Sequence, residues 1–529
     1  MSEKNQPVIV VNGEHKQELR RNVSIWGSYM WGFADVGADS YVALGLVMTY
    51  VQGVTGLAFA LAGIVYILIG LAYTELASAY PVSGGGPYYC LRGLGDFWGF
   101  VGGSALMLDY TIDIALFAVA SAGYVNFFLP FLTSHPIEYY AVNIGFLHQI
   151  NPLWCFESLL IIFLLIILNI KGVRESSMLN EVLGGVTIAM ESLLVILGFV
   201  FAWKPELLVD QWLHQRPSFH NFMYGSSLAI ISFVGLESIS QAAQETRRPA
   251  TIIPRTSITL VFSVFIFALS LSILGLGVLP WQEFAKHVDN PVAVLAGALP
   301  MIGPVAGILA AVLGAIILFI SSNAGIMGAS RLAYSMSHFK LISGWFDVVH
   351  PKYHTPVRTI MVFSLVGAFE TLLSFLSPSA MDTLGNMYAF GATLGYTLVF
   401  IALVKLRFSD PYSPRPYRMP CNIKWNHKGQ IVYIPVLAIV GMLGVSLILF
   451  EVILTHAIGR IAGPAWVLLC FGYFVWYRKR AGMPVFKSLP RDWEKEQVNV
   501  LTAAEEFELV EEYKSALAKR DKIAGMKAK

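Results

Sequence analysis

Twelve long apolar runs decide what this chain can become. They fall at about 25–49, 54–78, 97–130, 153–170, 182–203, 221–244, 254–280, 303–338, 357–377, 382–405, 431–455 and 461–477. Each is long enough to cross the hydrocarbon of a bilayer as a helix, which takes about 20 residues. Lipid offers the backbone no hydrogen-bond partner, and a helix satisfies its own amides within one segment. The expected fold is therefore an all-α polytopic membrane protein with about 12 transmembrane helices. Only 13% of the 529 residues are charged, against roughly a quarter in an average soluble chain, which argues against a soluble enzyme. A formal net charge of +2 gives no reason to invoke nucleic acid. Cys90, Cys155, Cys421 and Cys470 have no CxxC spacing, so they read as packing residues rather than a zinc site or a disulfide framework.

The basic residues orient the spans. With a cytoplasmic amino terminus, 32 of the 36 Lys and Arg fall on the cytoplasmic side, leaving Lys204, Arg216, Lys286 and Arg460 outside. The polar first 24 residues hold no apolar signal-peptide core, so the expectation is an uncleaved arm. An even number of spans returns the carboxyl terminus to the cytoplasm, with Thr133 and Ser379 outside, in a plasma (inner) membrane. The expected divisions are a cytoplasmic arm at 1–24, five spans at 25–203, five at 221–407, two more at 431–480 and a cytoplasmic tail at 481–529. In the tail, Thr502 and Glu505 make a capping-box pattern before a helix with Phe507, Val510 and Leu517 at helical spacing. That helix reads as cytosolic and amphipathic, with a regulatory or lipid-headgroup contact as the alternative.

Two spans cannot be ordinary helices. Asp35 and Asp39 lie inside the first run, in Trp31-Gly32-Phe33-Ala34-Asp35-Val36-Gly37-Ala38-Asp39-Ser40-Tyr41, where a mid-depth carboxylate costs about 2.5–3.5 kcal/mol on insertion scales. The sixth run carries Ser232-Phe233-Val234-Gly235-Leu236-Glu237-Ser238, again a glycine, an acid and hydroxyls in an otherwise apolar stretch. Interrupted helices at corresponding places in two halves point to inverted-repeat secondary transporters, whose substrate site lies between the unwound segments. Helices one to five and six to ten would form a 5+5 inverted repeat with broken helices 1 and 6, plus two extra helices. Unwinding is expected at about 36–40 and 234–237. The third run adds Asp109 and Asp113, four apart and so on one helical face. Like charges that close in low dielectric cannot both ionise cheaply. With no Lys or Arg in the central parts of these helices, the cation comes from outside the chain: a proton, a metal ion or an amine.

The motifs match a known family. Glu75-Leu76-Ala77-Ser78-Ala79-Tyr80-Pro81 precedes Ser83-Gly84-Gly85-Gly86-Pro87-Tyr88-Tyr89. Asn169-Ile170-Lys171-Gly172-Val173-Arg174-Glu175-Ser176 follows, then Gly235-Leu236-Glu237 leading to Gln244-Glu245-Thr246-Arg247-Arg248-Pro249. Further on stand Ser330-Arg331-Leu332-Ala333-Tyr334-Ser335-Met336, His350-Pro351, Thr355-Pro356-Val357 and Arg415-Pro416-Tyr417-Arg418-Met419-Pro420. In this order and spacing the chain resembles the amino acid, polyamine and organocation transporter superfamily, from helix one through helix ten. The resemblance implies the five-plus-five fold. It also locates departures: the family's last helix-one glycine falls at Asp39, its preceding one at Gly37, and the helix-five lysine that couples protons in some members falls at Met178. An acid at position 39 would repel a substrate carboxylate that free backbone N–H groups normally receive. Asp35 followed by Tyr41, Asp109-Tyr110 and Gly235-Leu236-Glu237 look instead like the bacterial KUP-type potassium importers, although Val234 stands where those have a threonine and the helix-one tyrosine is one place early.

Other features have plainer readings. No lysine and hydroxyl follow Gly84-Gly85-Gly86 at Walker spacing, so it reads as a re-entering cytoplasmic loop rather than a phosphate site. His15, His135 and His148 show no paired ligand spacing, and no metal site is expected. Glu75, Glu181, Glu370 and Glu451 lie near estimated helix ends, whereas Glu191 is nearer the middle of helix five. Trp31, Phe33, Tyr110 and Phe233 flank the breaks and read as packing unless they form an occluding lid. The candidate substrate-binding residues are Asp35, Gly37, Asp39, Tyr41, Asp113, Phe233, Gly235 and Glu237, with Glu237, Asp35 and Asp113 as proton carriers. Three functions fit: a proton-coupled importer of amino acids or amine-bearing organic cations, an importer of potassium or another inorganic cation, and a transporter-like sensor. No catalytic residue, nucleotide motif or cofactor is implied, and the oligomeric state is not legible.

Overall fold

A computed structural model describes residues 23–128, 142–144, 147–171, 173–353, 355–427 and 430–527. Most of the amino-terminal arm, Thr133 and Gly172 lie outside the described residues. Eleven stretches of the described residues are long and apolar enough to span a membrane. The first, Ile25–Ala79, has 55 residues, about twice one crossing at ~1.5 Å per residue. It holds α1 (Ile25–Val36), α2 (Ser40–Val51) and α3 (Thr55–Ala79). Gln52, with φ of 55°, reverses the chain between α2 and α3, so the twelve runs of the sequence are twelve spans.

The short α4 (Gly86–Leu94) leads into α5 (Asp96–Asn126), the third span. A small hairpin of β1 (Val142–Ile144) and β2 (Leu147–Ile150) precedes α6 (Pro152–Lys171) and α7 (Val173–Leu197). After α8 (Pro205–His214), the sixth span consists of α9 (Phe219–Leu228), a tight turn at Ala229–Phe233 and α10 (Ser238–Gln241). The seventh is α11 (Pro249–Val278), followed by the short α12 (Trp281–Lys286) and α13 (Pro291–Gly297). Spans eight to ten are α14 (Gly303–His338), α15 (Val357–Ser374) and α16 (Ala380–Ser409). An antiparallel hairpin of β3 (Asn422–His427) and β4 (Gln430–Pro435) precedes α17 (Val436–Thr455) and α18 (Gly459–Arg480).

The pairing of these helices is what an inverted repeat produces. The first half of span one, α1, packs on the second half of span six, α10, while α2 packs on α9. Spans two and seven lie along each other, as do three and eight. At the centre is α5, buried throughout its apolar window. Small residues let its neighbours close in. A Cβ on Gly391 of α16 would stand 3.0 Å from the Asp109 amide nitrogen, and one on Gly367 of α15 3.0 Å from Ile114 Cβ.

Both breaks fall where the glycines and acids place them, but they differ in depth. Gly37 (φ −69°) and Asp39 (φ −60°) stay in the right-handed helical region. The Gly37 N–H still reaches Phe33 O at 2.9 Å, whereas the Asp39 and Tyr41 amides shift to Val36 O (3.4 Å) and Ala38 O (3.0 Å). Span one is therefore kinked by one tightened turn. Span six is opened: Val234 is extended (ψ 159°) and Gly235 has φ of +102°, which favours glycine.

The loops rich in Lys and Arg share one face, here called the basic face. Glu75, at the end of α3, is fully buried and takes two 2.6 Å bonds from Arg407, with Arg415 at 3.3 Å. Arg92 pairs with Asp410 at 2.7 Å. Asp96 receives both Arg478 and Arg491. The tail docks here as two helices, α19 (Trp493–Ala503) and α20 (Phe507–Lys527). Gln497 is buried and donates to Ala79 O at 2.9 Å, and Trp493 sets its ring against Tyr88. The Thr502/Glu505 pattern caps nothing, because Thr502 lies within α19 and bonds back to Val498 O; Asp492 caps α19 instead.

Candidate functional site

Four elements bring five acids together in the middle of the bundle. Asp35 comes from the end of α1, Asp39 from the turn after it, Asp109 and Asp113 from one face of α5, and Glu237 from the opened stretch of span six. None is more than 1% exposed. The carboxyl of Asp35 lies beside those of Asp113 and Glu237, and the carboxyl of Asp109 beside that of Glu237. Gly235 makes the contact between the breaks possible: a Cβ there would stand 2.8 Å from Asp35 Cγ.

Two tyrosines of α16 tie the acids to the second repeat. Tyr388 OH donates to Asp113 Oδ1 at 3.2 Å, and Tyr396 OH to Glu237 Oε2 at 2.6 Å. The Gly235 amide donates to the Tyr396 oxygen at 3.4 Å, and Ser321 of α14 donates to the Asp35 carbonyl at 3.0 Å. The carboxyl oxygens of Asp35 and Asp39 find no protein donor in hydrogen-bond geometry, though the Ser238 hydroxyl and the Val234 backbone lie alongside. Among the described residues no Lys or Arg forms an ion pair with any of the five. An uncompensated group of buried carboxylates is prohibitively costly. Such a cluster is tolerable only when protons or another cation stand among the carboxyls.

The other nominated residues are placed differently. Gly37 sits in the kink itself. Tyr41 is turned from the cluster: its ring lies 6.0 Å from that of Tyr124, its carbonyl accepts from Tyr124 OH at 3.2 Å, and it faces Glu191. It also lines an apolar cavity of about 320 Å³ between α7 and α14. Phe233 stacks on Tyr66 (5.1 Å) and meets Phe59 edge-on (6.4 Å), so it packs against α3. Glu370 is buried in α15 and accepts from Thr111 Oγ1 at 3.1 Å; Thr111 lies midway between Asp109 and Asp113 in sequence, on another side of α5. Tyr388, Tyr396 and Ser321 were not nominated. Two hydroxyl-bearing residues eight apart within an apolar span, and so close to one face, are the signal that could have found the tyrosines.

Both faces are shut over the acids. Toward the basic face, Arg331 Nε bonds Glu245 Oε1 at 2.6 Å, its guanidinium lies 4.7 Å over the ring of Trp31, and Val23 N–H reaches Glu245 O at 3.0 Å. On the opposite face, Tyr224 OH donates to Asp382 Oδ2 at 2.9 Å and Tyr50 OH to Oδ1 at 3.3 Å. His456, wholly buried, shares a 2.9 Å bond with Ser227. Its burial holds the imidazole down to about 4, so it is neutral in the fold.

Spanning helices in two interlocked sets, two of them interrupted at a buried polar site closed on both sides, are the architecture of a membrane transporter rather than an enzyme. The chain belongs to the amino acid permease family, whose sequence profile matches residues 24–476. It is 27% identical over 421 residues to the branched-chain amino acid permease of Bacillus subtilis (strain 168), covering 78% of this chain and 86% of that one. It is 26% identical to the methylthioribose transporter of the same organism, over 78% and 87% of the two chains. It is also 28% identical to cationic amino acid transporter 4 of Homo sapiens, over 75% and 62%.

Proposed function

We propose that this protein imports amino acids, or small organic cations bearing the same amine, by alternating access and in exchange for the energy of a proton gradient. The observation that carries the reading is the five-acid cluster at the meeting of the two breaks, which has no Lys or Arg ion-pair partner among the described residues. An ammonium beside Asp39 or Asp113 supplies part of the missing charge, and protons on Glu237 or Asp35 supply the rest. Loss of one favours loss of the other, which is what couples two fluxes. Substrate carboxylate oxygens would be received by backbone N–H groups of the opened stretch at 234–237. Two of the three relatives named above carry amino acids by name, which supports amino acids as the substrate class, while the third is named for methylthioribose. The excess of Lys and Arg in alternate loops supports a cytoplasmic position for both termini, and a plasma membrane is the proposed location.

The same oxygens would serve potassium, the alternative that the KUP-like positions raise. Purified protein should be screened by thermal shift and by uptake into liposomes against leucine, arginine, spermidine and rubidium. Uptake of an amine-bearing solute without rubidium is the expected result. Rubidium accumulation with no response to any amine would replace this reading with the inorganic-cation one.

A further inference from the structure

A second set of polar side chains leads away from the acid cluster, apart from the Arg331–Glu245 pair. Tyr396, bonded to Glu237 at 2.6 Å, meets the edge of Tyr73 of α3 at 5.8 Å between ring centroids. Tyr73 in turn meets Tyr89 of α4 at 6.2 Å. The Tyr73 hydroxyl reaches the loop Gly84-Gly85-Gly86, where a Cβ on Gly86 would stand 3.0 Å from it. Gly84 and Gly85 hold positive φ (102° and 47°), and the loop wedges between α10 and α14: Ser83 Oγ donates to Gln241 O at 3.2 Å and Ser335 Oγ to Ser83 O at 2.6 Å. Among the described residues, the Tyr73 hydroxyl and both ends of the Gln241 side chain are buried with no partner in hydrogen-bond geometry, and the buried Tyr89 hydroxyl has only the Ser240 hydroxyl alongside. The groups around Tyr73 are Glu237, Asp109, Tyr89 and Cys90, with no cation among them.

Buried polar groups inside a membrane span cost several kcal/mol each unless something satisfies them. Several such groups on three helices lie between an acid and a basic-face loop, more than the packing of one residue would leave. Trp31, Arg331 and Glu245 close the route between α1, α10 and α14, whereas this line runs between α3, α4, α10 and α16. A hydroxyl accepts a proton on a lone pair as it donates its own, so it relays charge without holding it.

We propose that Tyr396, Tyr73, Tyr89 and Gln241 form a water-bridged proton path from Glu237 to the Gly84–Gly86 loop, distinct from the substrate exit. In each passage the Glu237 carboxyl loses one proton, each hydroxyl or water gains one and gives one up, and one proton leaves at the basic face. The path rests on the proton-coupled reading above. Its advantage is that a proton can leave while the substrate exit is still held by Arg331.

The test uses full-length protein in liposomes loaded with the pH dye pyranine, with leucine or arginine added outside, beside radiolabelled counterflow of the same amino acid, which needs no net proton release. Tyr73→Phe and Gln241→Leu are expected to slow substrate-driven acidification by at least about tenfold and to leave counterflow within twofold. Tyr89→Phe gives the same reading if either variant fails to fold, as judged by its melting profile. Acidification at the wild-type rate in all three overturns the path and leaves the coupling reading standing. Loss of counterflow together with acidification places these residues on the substrate route and also overturns it. Amino acid uptake by wild-type protein with no acidification refutes proton coupling itself, and the path with it.

Discussion

Replacing Arg331 with Met should open the basic face. In the closed arrangement the guanidinium bonds Glu245 at 2.6 Å, donates to Met327 O at 3.1 Å and lies 4.7 Å over Trp31, with side-chain exposures of 6% for Arg331 and 8% for Glu245. Methionine keeps much of the length and apolar contact but leaves the Glu245 carboxylate without its cation. Breaking a buried pair from one side costs about 3–5 kcal/mol, and a cation–π contact adds about 0.5–2 kcal/mol. Only the part lost in the closed state relative to the open one shifts the balance, because water reaches Glu245 once the face opens. Taking the lower end, about 3 kcal/mol, the open population rises by about 100-fold. The assay is the alkylation rate of a cysteine introduced at Ser238, whose hydroxyl lies beside Asp35, in a background lacking the four native cysteines, with reagent applied from the basic face. Arg331→Met should raise that rate by one to two orders of magnitude, and Arg331→Glu with Glu245→Arg should return it toward the starting value. An unchanged rate in Arg331→Met, with the protein folded, would show that these three residues do not hold the face shut.

Further outcomes follow from the same geometry. Gly235→Ala places a Cβ 2.8 Å from Asp35 Cγ at a φ of +102°; strain of about 1–3 kcal/mol should lower the melting temperature modestly and abolish uptake, and wild-type transport by this variant would refute the contact between the breaks. Glu237→Gln should keep the fold and lose proton-driven accumulation, either retaining exchange if Glu237 only couples or losing binding as well if it is a direct ligand; radiolabelled counterflow separates the two, and full pH-dependent accumulation would move the role to Asp35, Asp39 or Asp113. His456 is neutral in the fold, with its ionisation lowered from 6.5 to about 4. The unfolded chain takes up that proton first as pH falls, so stability should drop between about pH 6.5 and 4, by at most about 3 kcal/mol. Melting curves of wild type and His456→Gln at pH 7.5 and 5 should differ by that component, and equal pH sensitivity in both would contradict the buried neutral state.

What the sequence made legible was whatever depends on local composition. The twelve apolar runs became the twelve spans, because an uninterrupted apolar stretch in lipid has no alternative to a helix. The breaks were found because Gly37, Asp39, Gly235 and Glu237 are costly in a continuous span. Their depth was not legible: Gly37 and Asp39 hold right-handed geometry, so span one only kinks, whereas Gly235 takes a φ that few residues share. Facing was harder still. Tyr41 and Phe233 lie within a few residues of the acids, yet they point to Tyr124 and Tyr66, because rotation of each helix is set by its neighbours. Tyr388 and Tyr396 joined the site through the packing of α16 on α5, a contact more than 270 residues apart in the case of Asp113. The tail illustrates the same limit, since the Thr502/Glu505 pattern satisfies a local rule while docking on the basic face selects a different helix boundary.

In the proposed mechanism a proton and an amine jointly supply the charge missing from the five-acid cluster. A pH gradient, acid outside, is imposed across liposomes containing the purified protein, and leucine and arginine are followed to steady state. At least one of them should accumulate above the external concentration, that accumulation should collapse when a protonophore removes the gradient, and it should be lost in Glu237→Gln. Equal steady-state uptake with and without the gradient, in wild type and variant alike, would contradict it.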